Sequence, residues 1–250
     1  MSRARIIIAM LIALLLLAGA AAAGAEVYVN KEKPEDWEER PILRITALSF
    51  TQNDAFVLEC GGHVMILDGG SVLRARDLKY YLQKNGLGHV DIIFNSHPHD
   101  DHIEAVYSAI RSDVLTADVF VSPFPADYKV TDDLQRKMVK LLEEKGIPFR
   151  QMLPGEELTL GDAWMELYRA EKGDANAMSG VLRIHFGDAT ILMTGDISGE
   201  AQKNILAQVG AEKLKSDILK CPHHGVKRMV PAFLEAVDPQ FAIITSRKDT

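Results

Sequence analysis

The sequence predicts an α/β sandwich with sheets inside and helices outside, because strand and helix patterns are mixed along most of the chain. Each half carries a hairpin signal, with two apolar runs joined by Gly61-Gly62 in the first half and by Gly187-Asp188 in the second. Strand–helix units follow both hairpins. A chain of 250 residues is long enough to bury one sizeable core.

The strands are predicted where short apolar runs alternate with polar residues or lie between turn residues. In the first half they cover residues 43–48, 55–60, 63–67, 91–95 and 119–121. In the second half they cover residues 164–168, 181–186, 190–193, 217–221 and 241–245.

The helices are predicted where apolar residues recur at helical spacing between capping and stop signals. They cover residues 77–84, about 102–111, 131–145, 198–209 and 231–237. Thr131 and Ser198 are the expected N-caps of two of these helices.

The first 25 residues have the pattern of a secretory signal peptide. Arg3 and Arg5 form a basic start, residues 6–17 are continuously apolar, and Ala23-Gly24-Ala25 fits the cleavage rule. Cleavage there predicts a secreted or extracytoplasmic protein without stable membrane insertion. The alternative is an uncleaved membrane anchor, but the apolar run is short for a spanning helix of about 20 residues.

The rest of the chain divides into a charged stretch, residues 26–40, predicted to be a tether, and a globular domain at 41–250. The formal net charge is −7, which disfavours general binding of nucleic acid or anionic lipid. The two cysteines, Cys60 and Cys221, lie in apolar strand-like runs and are predicted to be buried thiols, although export would permit a disulfide.

Three of the eight histidines lie in NSHPHDDHI, residues 95–103, at the end of the predicted strand 91–95. Ligands of α/β proteins usually bind at the carboxyl ends of strands. The alternative, a polar loop with chance histidines, is poorly compatible with an HxHxDH spacing after a buried strand. The pattern therefore predicts a metal site.

This motif offers two pairs of ligands. Pro98 stiffens the loop between His97 and His99, so that both imidazoles can address one metal ion. Asp101 and His102 lie where the next helix begins and can address a second ion. Neutral imidazole and carboxylate suit zinc best, with manganese or iron as alternatives.

Residues 97–102, HPHDDH, resemble the HxHxDH signature of the metallo-β-lactamase superfamily. Residues 52–55 with 66–70 resemble its opening hairpin, and residues 193–196, MTGD, resemble its TGD motif. Residues 221–225, CPHHG, resemble the PHHG motif of the branch that includes the extracellular hydrolase domain of ComEC and the phosphorylcholine esterases. The resemblance spans nearly the whole domain and implies a four-layer αββα sandwich.

The resemblance implies a role for each residue that matches a motif. His97 and His99 would bind the first metal ion, and Asp101 and His102 would bind the second. Asp196 would bridge the two ions, since a carboxylate has two oxygens to share.

Further matching residues would surround these ligands. Asp68 would orient a ligand histidine from behind the site. One of His223 and His224 would complete the coordination of the second metal ion, and the other would face the substrate or donate a proton. His223 is favoured as the ligand because it comes first off the strand, which leaves His224 as a catalytic residue. Taken alone, Asp68 could be a turn residue and Asp196 a helix cap.

The chain departs from the family pattern at the first metal ion. Many members supply a third histidine between the HxHxDH and TGD motifs, where this chain has only His185 in a predicted strand. The ComEC branch usually lacks this ligand too, which implies a weakly held first ion, and Asn176 or Asp174 could assist it. β-Lactamases of this fold can use a cysteine where Asp196 stands, so Cys221 is not that ligand and antibiotic hydrolysis is not expected.

The implied cofactor, two divalent metal ions, lowers the pKa of a bridging water and gives hydroxide near neutral pH. That hydroxide would attack phosphorus or a carbonyl carbon, while Asp101 holds it in line and takes its proton. Asn176, Lys227 and Arg228 are candidates to contact the substrate. For Lys227 and Arg228, a solvated helix start is an equally favoured interpretation.

We therefore predict an exported binuclear phosphodiesterase that acts on small-molecule or cell-surface phosphodiesters. The acidic net charge makes nucleic acid the less favoured substrate. One alternative is a hydrolase of carboxylic esters, thioesters or lactones that uses the same site. The other is a non-catalytic metal-binding protein with a degenerate site.

Overall fold

The computed structural model describes residues 5–9, 26–29, 41–48, 52–130 and 133–246, and two sheets form its centre. The first sheet contains β1 (Arg5–Ala9), β2 (Glu26–Val29), β3 (Ile42–Ala47), β4 (Phe56–Cys60), β5 (His63–Leu67), β6 (His89–Phe94), β7 (Thr116–Ser122) and β8 (Phe149–Gln151). The second contains β9 (Glu157–Leu160), β10 (Ala163–Tyr168), β11 (Val181–Phe186), β12 (Ala189–Met193), β13 (Ile218–Lys220) and β14 (Phe241–Ile243).

The helices follow the strands that they cover. They are α1 (Ala75–Lys84), α2 (Asp100–Arg111), α3 (Leu134–Lys145), α4 (Gly199–Val209), α5 (Ala211–Leu214) and α6 (Pro231–Val237). Short 3₁₀ turns lie at Val72–Arg74 and Pro222–Gly225.

Each sheet combines an antiparallel hairpin with a parallel extension. The first sheet has the order β2-β1-β3-β4-β5-β6-β7-β8, in which β4 and β5 form the hairpin and β5 to β8 run parallel. The second has the order β14-β13-β12-β11-β10-β9, in which β11 and β12 form the hairpin and β12 to β14 run parallel. Because parallel strands point the same way, their carboxyl ends share one edge of each sheet.

Three apolar layers hold the two sheets and their helices together. Side chains such as Phe56, Leu58 and Met165 fill the space between the sheets. Val57, on the other face of β4, packs in a second layer against the helices of the first sheet. A third layer joins the second sheet to its own helices, with Phe233 at its centre. The predicted four-layer αββα sandwich is confirmed.

Several predicted elements end within a residue or two of the observed ones. Both hairpins are confirmed, and Ser198 caps α4 by accepting a hydrogen bond from the amide of Ala201 at 3.4 Å. The sequence patterns missed β8, β9 and α5, because these elements have at most four residues and no continuous apolar run.

The helix predicted from Thr131 begins later than expected. α3 starts at Leu134, because Asp133 has a left-handed backbone with φ of 59° that does not continue a helix. Thr131 itself lies outside the described residues.

The described part of the N-terminal region consists of two strands. β1 falls within the predicted signal peptide and pairs in parallel with β2 and β3. β2 opens the predicted tether as a strand rather than an irregular segment, because its backbone pairs with β1. Residues 10–25 and 30–40 lie outside the described residues, as do residues 1–4. Among the described residues, no helix has the length and apolar character that crossing a bilayer requires.

Candidate metal centre

The candidate site lies where the carboxyl ends of parallel strands from both sheets meet. β5 leads into Asp68, β6 into the HPHDDH segment, β12 into Asp196, and β13 into His223 and His224. The amide of Gly180 donates to the carbonyl of Ser96 at 2.8 Å and links the two sheets at this edge. Motifs that are far apart in the sequence therefore form one cluster.

Asp68 lies behind the cluster and accepts hydrogen bonds on both of its oxygens. Oδ1 accepts from Asn95 Nδ2 at 3.0 Å and from the Ser96 amide at 2.7 Å. Oδ2 accepts from Ser96 Oγ at 2.7 Å and from His102 Nδ1 at 2.9 Å. A carboxylate saturated in this way fixes the ring of His102 and leaves that ring's Nε2 directed into the cluster.

Asp196 lies between two histidines, one at each oxygen. His102 Nε2 is 3.3 Å from Oδ1, and His224 Nε2 is 3.3 Å from Oδ2. The preceding Gly195 has φ of 49°, and a side chain there would collide with Ser179. The Ser179 hydroxyl accepts a hydrogen bond from the Asp196 amide. The tight turn that places Asp196 therefore requires glycine.

Asp101 is the half-open member of the cluster. It lies in the first turn of α2, where the helix dipole favours a negative charge. Its Oδ2 is 3.1 Å from His224 Nε2, and its Oδ1 is 3.8 Å from His102 Nε2. Its side chain is 31% exposed, so it can face both the cluster and a molecule in the cleft.

His97 lies beside both His99 and His102. The ring of His97 is 4.7 Å from that of His99 and 4.1 Å from that of His102, centre to centre. His97 is fully buried, and its Nε2 has no hydrogen-bond partner. Burial, with the neighbouring His102, holds the pKa of His97 well below its usual value, so the ring is neutral and able to bind a metal ion.

His223 and His224 share an unusual backbone. Their φ angles are 51° and 57°, in the left-handed region that costs a non-glycine residue about 1–3 kcal/mol. With this backbone, the side chain of His224 points inward and is buried. The side chain of His223 is half-buried, and its Nδ1 lies 3.5 Å from Asp196 Oδ2. Strain of this kind at a motif indicates a functional constraint.

The donor set fits a divalent metal ion. Atoms of Asp54, His102, Asp196 and His224 all lie within 4.8 Å of one another. His102 Nε2 and Asp196 Oδ1 are buried without a hydrogen-bond partner, like His97 Nε2. Imidazole nitrogens with carboxylate oxygens are the donors that zinc and related ions prefer.

The electrostatics of the cluster favour a cation. Burial alone would lower the pKa of His102, but Asp196 and Asp68 outweigh it and raise that pKa well above its usual value. Burial opposes the change at His224 as well, where hydrogen bonds to Asp101, Asp196 and Asp54 raise the pKa to about 10. The same carboxylates would attract a divalent ion.

Two buried residues of this region were missed by the sequence patterns. Lys220, at the end of β13, lies with its ammonium against Asp54 and 3.6 Å from Asp196 Oδ1. Both Lys220 and Asp54 are 1% exposed. The sequence did contain a signal for Lys220, which is a lysine at the end of an apolar strand, directly before Cys221-Pro222. A lysine buried at such a position requires a charged or polar partner, which would have indicated a buried carboxylate nearby.

The three predicted substrate-contacting residues all lie within the described part of the chain. Asn176 is half-buried, and its Oδ1 has no hydrogen-bond partner. Lys227 and Arg228 are exposed in the loop before α6, and neither forms an ion pair within the described part of the chain. Nearby, a cavity of 530 Å³ is lined by Ser198 of the α4 cap and by Lys172, Asp174, Glu200 and Lys203 among others, so its charges balance.

The remaining candidates of the sequence have structural roles. Cys60 and Cys221 are free and buried, as predicted. His185, in β11, stacks on Trp164 with 3.8 Å between ring centres and lies outside the cluster.

Comparison with known proteins supports this description. Residues 48–230 match the family model described as the metallo-β-lactamase superfamily. The chain is 29% identical to competence protein ComA of Neisseria gonorrhoeae over 102 residues, which are 40% of this chain and 13% of that protein. The chain thus spans a small part of the length of this curated relative.

Two solved structures are similar to this chain at low sequence identity. A mutant of the β-hydroxylase CmlA is 13% identical, with 86% of this chain and 47% of that chain covered and a TM-score of 0.50. The short form of human tRNase Z is 13% identical, with 76% and 86% covered and a TM-score of 0.48. With its HxHxDH, TGD and PHHG segments gathered at one edge of an αββα sandwich, and with a family match over residues 48–230, the chain belongs to the metallo-β-lactamase superfamily.

Proposed function

We propose that this protein is an exported hydrolase with a binuclear metal centre, and that it cleaves phosphodiester bonds. The observation that carries the proposal is the placement of Asp196 between His102 and His224, with Asp101 at the open side. A buried carboxylate with an imidazole nitrogen near each oxygen is suited to bridge metal ions. The orphaned Nε2 of His97 adds a donor beside His102.

The ligands divide into two groups. His97 and His99 would hold one ion, and Asp101, His102 and His224 the other, with Asp196 shared. We favour His224 over His223 as the ligand, because His224 is buried with Nε2 3.3 Å from Asp196, while His223 is half-buried at the cleft. His223 is then the residue that faces substrate.

Two metal ions in such a centre activate water and stabilise negative charge on the reacting oxygens. Within this chain, Asp101 is the candidate general base, because it lies at the open side of the cluster and is ionised. Burial alone would raise its pKa, but the hydrogen bond with His224 and the positive charges of His102 and His224 together outweigh burial and lower it. Asp68 and Asp196 hold the rings in place while the substrate reacts.

Phosphodiesters are favoured over carboxylic esters because two cationic residues closely follow the PHHG segment. Lys227 and Arg228 follow His224 by three and four positions and are exposed, so that they can contact a phosphate oxygen. The acidic chain favours a small or cell-surface phosphodiester over nucleic acid. Similarity to a competence protein is compatible with either substrate.

The experiment measures bound metal per chain and hydrolysis of a chromogenic phosphodiester on one sample of the purified protein. Two ions per chain with turnover support the proposal. A second outcome is two bound ions with no turnover of phosphodiesters but with turnover of a carboxylic ester, thioester or lactone. That result would show that the substrates are esters, thioesters or lactones instead of phosphodiesters. One bound ion or none, with no turnover, would favour a non-catalytic binding protein with a degenerate site.

Export is proposed from the N-terminal sequence pattern alone. Mass spectrometry of the protein recovered from the producing cells tests it, with an N-terminus at Glu26 in the extracytoplasmic fraction as the expected result. Recovery of the intact N-terminus in the cytoplasm would contradict export.

A further inference from the structure

Asp54, which lies just before β4, is buried and contacts three side chains from two distant parts of the chain. Its Oδ1 accepts hydrogen bonds from His224 Nδ1 at 3.1 Å and from Thr245 Oγ1 at 2.7 Å. The ammonium of Lys220 lies against its Oδ2. Asp54 falls within the candidate ligand group by distance, but the Lys220 ammonium already lies where a cation at Oδ2 would be, so we infer that Asp54 supports the site from behind rather than binding metal.

The contact between Asp54 and His224 has a counterpart at His102. Asp68 accepts a hydrogen bond from His102 Nδ1 at 2.9 Å. Asp54 precedes β4 and Asp68 follows β5, and these strands pair from Phe56 opposite Leu67. One hairpin therefore presents both aspartates at its open end, each behind a different histidine.

These two contacts fix the chemical form of both rings. An ionised carboxylate only accepts hydrogen bonds, so Nδ1 of each histidine carries the hydrogen. Nε2 of each ring then faces the cluster, where a metal ion can take the place of its proton. The Nε2 atoms of His102 and His224 lie 3.3 Å from opposite oxygens of Asp196.

Lys220 makes burial of these carboxylates tolerable. Its Nζ donates to the carbonyl of Gly195 at 2.9 Å and lies 3.6 Å from Asp196 Oδ1, besides its contact with Asp54. A buried carboxylate without a cation is strongly destabilising. Lys220 thus joins Asp54, the turn at Gly195 and Asp196 into one unit.

We propose that Asp54, with Lys220 as its counter-ion, is a positioning residue that orients His224 toward the metal centre, as Asp68 orients His102. The inference rests on the proposed metal centre and adds two residues that are neither metal ligands nor part of the histidine motifs. It predicts that the site loses metal affinity when Asp54 is altered, even where the fold is kept.

The test compares zinc affinity and thermal unfolding of the full-length wild type with those of Asp54→Asn. Zinc affinity is measured by competition with a chromogenic chelator, and Tm is measured with and without zinc. An asparagine has a single accepting oxygen and cannot hold both His224 and Lys220, so affinity should fall by about 10- to 100-fold. Asp68→Asn should cause a loss of similar size, and Asp188→Asn, in an exposed turn, should cause none.

Lys220→Met alone leaves Asp54 buried without its cation, and this variant is expected to unfold at a lower temperature. The double variant Asp54→Asn with Lys220→Met removes both charges, and it should recover stability without recovering zinc affinity. If Asp54→Asn binds zinc as the wild type does, or lowers Tm equally with and without zinc, Asp54 is only structural and the inference fails. Failure of the wild type to bind zinc would instead remove the proposed function.

Discussion

The Nε2 atom of His224 lies 3.1 Å from Oδ2 of Asp101, although the two residues are 123 positions apart in the chain. His224 follows β13 in the second sheet, whereas Asp101 lies in the first turn of α2, which packs on the first sheet. The contact therefore joins the two halves of the sandwich at the edge where the metal centre is proposed. A side chain placed there can bind a metal ion and still reach a molecule in the cleft.

Replacing Asp101 should abolish turnover while sparing the fold. Asp101→Asn removes the carboxylate that is proposed to accept the proton, and loss of a positioned general base costs about 100- to 10,000-fold in rate. The rate is measured on the chromogenic phosphodiester, with Tm recorded for the same sample. Asp100→Asn is a matched control, because Asp100 is the adjacent residue in α2 and is exposed. Unchanged activity in Asp101→Asn would contradict the mechanism.

His224→Ala should lose more bound metal than His223→Ala. His224 is buried with Nε2 3.3 Å from Asp196 Oδ2, whereas His223 is half-buried and its Nδ1 lies 3.5 Å from the same oxygen. The measurement is metal per chain after dialysis against a limiting amount of chelator. A greater loss in His223→Ala would favour the assignment made from the sequence, in which His223 is the ligand.

Site residues that lie close together in the sequence were predicted, whereas site contacts between residues far apart in the sequence were missed. His97 and His102 were predicted because ligands that follow one strand lie close together in the sequence. Asp54 and His224 are 170 positions apart, and no local pattern indicates that they meet. The choice between His223 and His224 depends on two left-handed backbone angles, which neither periodicity nor motif spacing shows.

The fold shows a similar limit. Long or regular segments such as β4 and α6 were predicted, because a buried strand gives a continuous apolar run and a helix gives a repeating face. β8 and β9 have three and four residues, and two residues of each strand are exposed, so their composition resembles that of a loop. Their pairing with β7 and β10 is a property of the folded sheets.

Asp91 should contribute to stability in a way that is lost at low pH. Burial alone would raise its pKa, but hydrogen bonds from His63 Nδ1 at 2.6 Å and the Val64 amide at 2.7 Å outweigh burial and lower it. A carboxyl whose folded pKa is below its unfolded value stabilises the protein above the unfolded pKa and ceases to do so as pH falls through the folded pKa.

The effect of Asp91→Asn should be small, because the contact is partly exposed, and less than about 1 kcal/mol is expected at pH 7. Urea unfolding at pH 7, and again at the lowest pH at which both proteins stay folded, measures the difference in the free energy of unfolding between wild type and variant. The difference should shrink as Asp91 becomes protonated. A difference that stays constant with pH would show that the carboxylate charge has no part in it.

Gly69→Ala should destabilise the protein through a collision between the loop after β5 and α2. A Cβ atom at Gly69 would lie 2.2 Å from Val106 Cγ2 and 3.1 Å from the Val106 amide nitrogen. The Gly69 amide also donates to the His102 carbonyl at 2.7 Å, so the loop cannot move away without losing this bond. Overpacking of this kind costs about 1–3 kcal/mol in the free energy of unfolding, measured by denaturant titration.

Gly88→Ala is the control, because a Cβ there would meet only the Val114 carbonyl oxygen at 3.7 Å, an ordinary contact. Since the displaced helix carries Asp101 and His102, zinc affinity of Gly69→Ala should fall as well, and equal stability of the two alanine variants would contradict the collision.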